Sequence, residues 1–465
     1  MPSDTAHPGI SAAVFHAISG VTVRWLSAVA LVCLTIPGIS DAATAQTADA
    51  NWWENIPGFG TPRYSTDQRA PRAERAVDPM DDLRADATPW RSDAMVEALE
   101  RAIEHYQKIA STGGWPRIPG SRMIRPGDDD ERVPVLKRRL AATGDLKGRQ
   151  GGFGYDSFSF DGELEAAVRH FQGRHGLRVS GRVDQPTLAA LNVSAEARLA
   201  QLKLNLNRVR DLLRERVEDR YVLVNAAAYQ LEAVERHEVQ LRHRVIVGRE
   251  GRETPVLKAT IRALNFFPYW RVPDSVAQLD LIPRLRKEPD YLDKEKIRVL
   301  TGHYQGPELD PSAVDWNIAE ASKIKFRQDP GPQNALGLVR IDMPNEHGVY
   351  MHDTPLKKLF DQRGRAFSAG CVRVQGVFQL VEWIARQEVG WEQKGRVEDV
   401  LQSGQALDLT LTRPIPVYFT YITAWAEPNG RIEFRPDIYG RDGSRDLAGE
   451  RDPDAPPVPP SGVAP

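Results

Sequence analysis

Cysteine is almost absent from this chain, with two residues, Cys33 and Cys371, in 465. So small a supply excludes a disulfide framework and any cysteine-rich metal site. An excess of charge of one sign is missing as well. Lys and Arg number 61 against 63 Asp and Glu, a formal charge of -2, so no global basic field exists to hold nucleic acid. Lys137-Arg138-Arg139 reads as a solvated helix face. Long apolar runs are lacking too: Trp25 to Ile36 is a short stretch, well below the ~20 residues that a membrane helix needs. No phosphate-cradling Gly loop, dinucleotide fingerprint or internal repeat occurs. What remains is ordinary material for cores, 41% hydrophobic and 27% charged, at a length that suits about three domains.

The apolar run has Arg24 before it and Pro37-Gly38 after it, and small residues Ala43-Thr44-Ala45 follow. This is the pattern of an export signal with an A-x-A cleavage site, so residues 1–45 are expected to be a signal peptide or a retained inner-membrane anchor. Val32 is too bulky for the position before a lipidated Cys33. Export to an oxidising space would leave Cys371 as a single thiol with no internal partner. Such a thiol, framed by Ser368-Ala369-Gly370 and Arg373, suggests a nucleophile.

Residues 46–90 are rich in Pro, Asp, Arg and Ala and read as a linker. Val96, Leu99, Ile103, Tyr106 and Ala110 recur at three- and four-residue steps and predict a helix over 93–110. A second helix is expected over 133–142. Residues 91–150, with part of 195–216, are expected to form a helical scaffold, and 151–194 a small helical module. Strand patterns occur at 221–225, 229–234, 242–247, 338–341 and 349–351. A Pro- and charge-rich stretch at about 273–337 interrupts them and reads as an inserted capping subdomain. A mainly β domain over 217–425, an extension at 426–442 and a disordered tail at 443–465 complete an α+β multidomain chain.

Side chains alternate along an extended segment. Tyr350 and His352 therefore share a face, as do Cys371 and Arg373, while Met351 and Val372 turn to the core. Two adjacent strands would set His352 beside Cys371, where an imidazole assists a thiol; coupling of this kind predicts a lowered thiol pKa. Gly370 would let the backbone amides of residues 370 and 371 meet a developing oxyanion. Asp353 should point away from His352, which leaves a backbone carbonyl to orient the ring. Ser368 suits local bonds within the loop. Strand alternation turns His347 away from His352, and with no second thiolate available no metal site is expected.

His352, fifteen residues, then Ser368-Ala369-Gly370-Cys371-Val372-Arg373 resembles the motif of the L,D-transpeptidase catalytic domain, the YkuD family. Ala369 stands where the motif has His, and Arg373 where Asn is common. Both changes look like the large periplasmic branch, as do Gly113-Gly114-Trp115-Pro116, Pro268-Tyr269-Trp270-Arg271 and Ile438-Tyr439-Gly440-Arg441-Asp442. Leu164 to Gln172, His175-Gly176-Leu177 and Thr187 to Asn192 resemble the peptidoglycan-binding type 1 domain, with Ser180-Gly181 in place of the usual Asp-Gly. The resemblance implies a YkuD-like β-sandwich with a capping insertion, a helical scaffold and a peptidoglycan-binding module. It implies Cys371 as nucleophile, His352 as acid and base, and Gly370, Ser368, Tyr350 and Arg373 as oxyanion or supporting groups. Its partners would be peptidoglycan stem peptides and glycan, with carbapenem acylation of the thiol, no nucleic acid and no cofactor.

Overall fold

A computed structural model describes residues 82–147 and 156–443. The expected export signal at 1–45, the linker up to residue 81, Cys33 and the tail from residue 444 lie outside the described residues. Among the described residues no helix is long and apolar enough to cross a membrane.

Helix α1 (Asp93–Ser111) starts where the Ser92 side chain accepts from Met95 N, and it buries Met95, Leu99, Ile103 and Tyr106. Its partner α5 (Ala195–Leu213) begins at a Ser194 cap. Between them lie α2 (Val133–Ala142), α3 (Gly162–Arg174) and α4 (Gln185–Asn192). Val133, Leu136 and Leu140 of α2 share one core with Phe160, Leu164, Val168, Phe171 and Leu191. Helix α2, grouped with the scaffold from sequence, thus packs with the small module. Its apolar stripe was legible, but which surface would cover the stripe was not. Gln172 ties this module together: its Nε2 donates to Thr187 Oγ1 at 3.0 Å, and its Oε1 accepts from Ser180 N and Gly181 N at 2.9 Å.

The β-rich part opens with the expected hairpin, β1 (Arg220–Asn225) and β2 (Gln230–Glu235), followed by β3 (Glu238–Gly248) and β4 (Leu257–Phe266). The cap follows, with β5 (Trp270–Arg271), β6 (Ile297–Thr301), β7 (Glu308–Leu309) and β8 (Ile324–Gln328). Next come β9 (Val339–Asp342), β10 (Met351–His352), β11 (Ala366–Ser368), β12 (Val372–Val374), helix α6 (Val377–Ala385) and β13 (Leu407–Thr420). A small ribbon of β14 (Ala424–Ala426) and β15 (Ile432–Phe434) ends the regular structure.

Nine strands form one sheet in the order β11-β3-β12-β10-β9-β4-β13-β1-β2, and β2 also pairs with β3. The sheet therefore closes on itself. Alternation sends Val222, Val224, Val417 and Phe419 inward, all buried. Tyr221, Leu223 and Tyr418 face outward into a core built with α1, α5, Trp90 and Trp425. One layer of helices thus covers the outside of the sheet. The cap is a separate four-stranded sheet, β5-β8-β6-β7, with its own core of Trp270, Leu281, Val299, Phe326 and Leu336 among others.

Residues 82–90, assigned to the linker by composition, are packed. Trp90 is fully buried, and its N–H donates to Glu232 at 2.8 Å. Asp82 pairs with Arg244 at 2.5 Å and with Arg365 at 2.8 Å. Composition counts Asp as solvated, but the partners of Asp82 lie more than a hundred residues away, beyond the reach of any local pattern.

Candidate active site

Strands β10 and β12 are parallel neighbours, with Met351 opposite Val372 and His352 opposite Arg373. Continuing that register, Cys371 lies beside Tyr350, and Val372 N donates to Tyr350 O at 3.0 Å. Tyr350, His352, Cys371 and Arg373 thus share one face of the sheet, while Met351 and Val372 are fully buried on the other.

His352 is wholly buried, and its Nδ1 bonds Asp353 O at 2.5 Å. A carbonyl can only accept, so Nδ1 carries the hydrogen and the neutral ring keeps a bare Nε2. That Nε2 is buried and has no hydrogen-bond partner. Burial, reinforced by the charge of Arg373, pushes the His352 pKa down to about 3. The ring is therefore neutral over the whole physiological range. Asp353 serves elsewhere: it accepts from Leu338 N at 3.0 Å and pairs with Lys357.

Cys371 is 7% exposed. The Tyr350 backbone N–H and hydroxyl both face its sulfur, and Arg373 adds a favourable charge. Burial outweighs them and pushes the thiol up to about 11. This corrects the expectation of a lowered thiol pKa, because burial removes more hydration than the neighbours return. At neutral pH the thiol is then almost wholly protonated. A raised thiol pKa means that reactivity climbs with pH. Alkylation of Cys371 by iodoacetamide, followed from pH 6 to pH 10, is expected to rise without a plateau. A plateau reached below pH 8 would contradict a neutral thiol–imidazole pair.

The turn before the sulfur is held by backbone geometry. Gly370 has φ +119°, a region that suits glycine, and a Cβ there would meet nothing closer than 3.6 Å. Conformation rather than space thus requires glycine. Ser368 Oγ donates to Cys371 O at 2.6 Å and accepts from Gly370 N at 3.2 Å. The Gly370 amide, expected to point at an oxyanion, is therefore spent on Ser368. Ser368 shapes the turn, as its local chemistry suggested.

The cap supplies the roof. The Tyr350 hydroxyl lies near the Trp270 indole N–H of β5, without a well-formed hydrogen bond to it. Tyr350 and Ala369 both pack against the hydrophobic core of the cap. The small side chain at 369 leaves room for that contact. Arg373 is buried, which lowers its pKa to about 10. His347 sits in a half-exposed turn rather than on a strand, with its N–H on Asn345 Oδ1 at 3.1 Å.

Comparison with known proteins follows the same division. Residues 219–398 match the YkuD family, described as the L,D-transpeptidase catalytic domain. This chain carries a YkuD catalytic domain. Residues 129–191 match the family described as "Putative peptidoglycan binding domain", a stretch that includes α2. A Haemophilus influenzae protein named "Putative L,D-transpeptidase" is 36% identical over 228 residues, 49% of this chain and 45% of that protein. The match thus spans less than half the length of that relative. Among solved structures, an L,D-transpeptidase from Stackebrandtia nassauensis aligns with 65% of this chain and 96% of its own, at 14% identity and a TM-score of 0.24. One from Xylanimonas cellulosilytica aligns with 65% and 98%, at 13% identity and a TM-score of 0.19.

Several residues around Cys371 escaped the sequence reading. Thr254 is fully buried; its Oγ1 donates to Gly370 O at 2.9 Å and accepts from Gly248 N at 2.9 Å. Tyr439, in the C-terminal extension, donates to Gly248 O at 2.6 Å. Arg365, one residue before β11, is fixed by Asp82 and by the carbonyls of Tyr229 and Val245. No pattern local to residue 254 points at residue 370; the only available signal was the Tyr439 motif, which carried no role. Thr254→Val would leave a buried N–H and a buried carbonyl unpaired, at about 1–3 kcal/mol each. We expect kcat to fall at least tenfold with KM little changed, and Thr254→Ser to restore most of it. Equal kcat values for wild type and the Val variant would show that the Gly370 peptide needs no such support.

Proposed function

We propose that the protein is a peptidoglycan L,D-transpeptidase that forms 3–3 crosslinks through a thioester on Cys371. Sγ attacks the carbonyl at the diaminopimelate L-centre of a donor tetrapeptide stem. His352 Nε2 takes the thiol proton and passes it to the departing amine, so the C–N bond breaks and D-alanine leaves. An amine of a second stem then attacks the thioester and gives its proton to His352. The new amide forms as the thiol is regenerated. The Tyr350 hydroxyl and the Cys371 amide stabilise the oxyanion. Arg373 supports the site from beside the sulfur.

The observation that carries this reading is the tautomer of His352. Its hydrogen is committed to Asp353 O and its bare Nε2 is buried without a partner, on the same sheet face as a thiol too weakly acidic to ionise by itself. A general base is what such a thiol requires. The YkuD match and the peptidoglycan-binding match support the substrate class. The expected export signal supports a periplasmic site of action, and the same thiol would be acylated by carbapenems.

Incubation of purified protein with tetrapeptide-rich wall, followed by mass spectrometry of the muropeptides, tests the proposal. Tripeptide–tetrapeptide 3–3 dimers and free D-alanine are expected. Tripeptides without dimers would instead make the protein an L,D-carboxypeptidase, and an unchanged muropeptide profile would overturn both.

A further inference from the structure

An arginine pair close to the nucleophile has no part in the reaction as written. Arg249 and Arg252 lie on the loop after β3, and that loop closes over the Cys371 turn, with Arg249 N donating to Ser368 O at 2.9 Å. Both guanidinium groups converge on one carboxylate, Asp280, in the π-helical turn Ala277–Leu281 of the cap. Arg249 donates to its Oδ1 at 2.9 Å and Arg252 to its Oδ2. The three side chains are 32%, 14% and 20% exposed, so a ligand can reach them. Arg249 also lies close enough to act on Arg373, the buried arginine beside Cys371.

Two guanidinium forks, one on each oxygen of a single carboxylate, form a ready carboxylate-binding arrangement. Here the occupant is tethered to the cap that roofs the thiol. We propose that Arg249 and Arg252 form a carboxylate subsite, that Asp280 fills it while the cap is closed, and that a free carboxylate of the donor stem peptide displaces Asp280 and releases the cap. The ligand named here rests on the stem-peptide reading above. Exchange of one carboxylate for another keeps both arginines paired, and partly exposed ion pairs are weak enough to exchange. The turn that carries Asp280 is a π-helical irregularity of a kind often found at functional sites. Release of the cap would open the way to Cys371 for the stem peptide. The closed state is thus the unreactive one, and the substrate itself opens it.

The test uses the full chain with Asp280→Asn, Asp280→Glu and the double variant Arg249→Gln/Arg252→Gln. Alkylation of Cys371 by iodoacetamide reads the cap. Calorimetry in a Cys371→Ala background reads binding of a stem tetrapeptide and of the same peptide with its carboxylates amidated. Asp280→Asn is expected to speed alkylation about tenfold and to tighten the acidic tetrapeptide at least about fivefold, within the usual range of coupling. The amidated peptide should bind all proteins alike, Asp280→Glu should behave as wild type, and the double arginine variant should lose the preference for the acid. Alkylation unchanged in Asp280→Asn, or equal effects on acidic and amidated peptides, would overturn the proposal. Faster alkylation with a tetrapeptide that binds no variant would refute the stem-peptide reading and the ligand assigned here, and would leave the cap latch standing.

Discussion

Cys371→Ala is expected to abolish crosslinking while the fold survives. In the proposed reaction Sγ is the atom that takes the acyl group, and no other cysteine occurs among the described residues. Ala fills part of the space of a buried thiol and introduces no polar atom, so the loss of stability should be small. A carbapenem should add covalently to wild type and leave the mass of the variant unchanged. 3–3 dimers formed by the variant well above a no-enzyme control would remove Cys371 from the mechanism.

His352→Ala is expected to lower the acylation rate by about two to four orders of magnitude, the range for a positioned acid–base group. Its effect has a second component. With the thiol raised to about 11 and the ring neutral, attack depends on proton removal during the step and not on a standing thiolate. Loss of the base should therefore be felt most at neutral pH and least near pH 10, where the thiol begins to ionise by itself. His347→Ala should change the rate less than threefold, a bound set by its half-exposed turn position outside the site. Comparable losses from the two histidine variants would show that His352 acts through structure alone.

The parts of this site that alternate were legible in the sequence. Residues 349–352 and 371–374 each place a polar side chain at every second position, and parallel pairing of β10 with β12 sets Tyr350, His352, Cys371 and Arg373 on one face as that pattern required. The backbone carbonyl that orients His352 and the local bonds of Ser368 also followed from what those residues can do at short range. Other features depended on distant contacts. The sheet closes through β2 and β3, the Gly370 carbonyl is held from residue 254, and Arg365 is braced by Asp82. The thiol pKa was misjudged for the same reason. Sequence showed an imidazole within reach, but the burial that reverses the shift is set by the tertiary packing around the thiol. Likewise the Gly370 amide looked free until its bond to Ser368 Oγ was seen.

The central claim is that Cys371 carries the donor stem as a thioester. It is tested most directly by mixing the protein with a soluble disaccharide tetrapeptide whose diaminopimelate side-chain amine is acetylated, so that no acceptor amine is present, quenching in acid and measuring the intact mass and the peptide map. The account predicts an adduct equal to the donor less one D-alanine, located on the peptide that contains Cys371 and released by hydroxylamine. Release of D-alanine with no adduct on that peptide, or an adduct on any other residue, would contradict it.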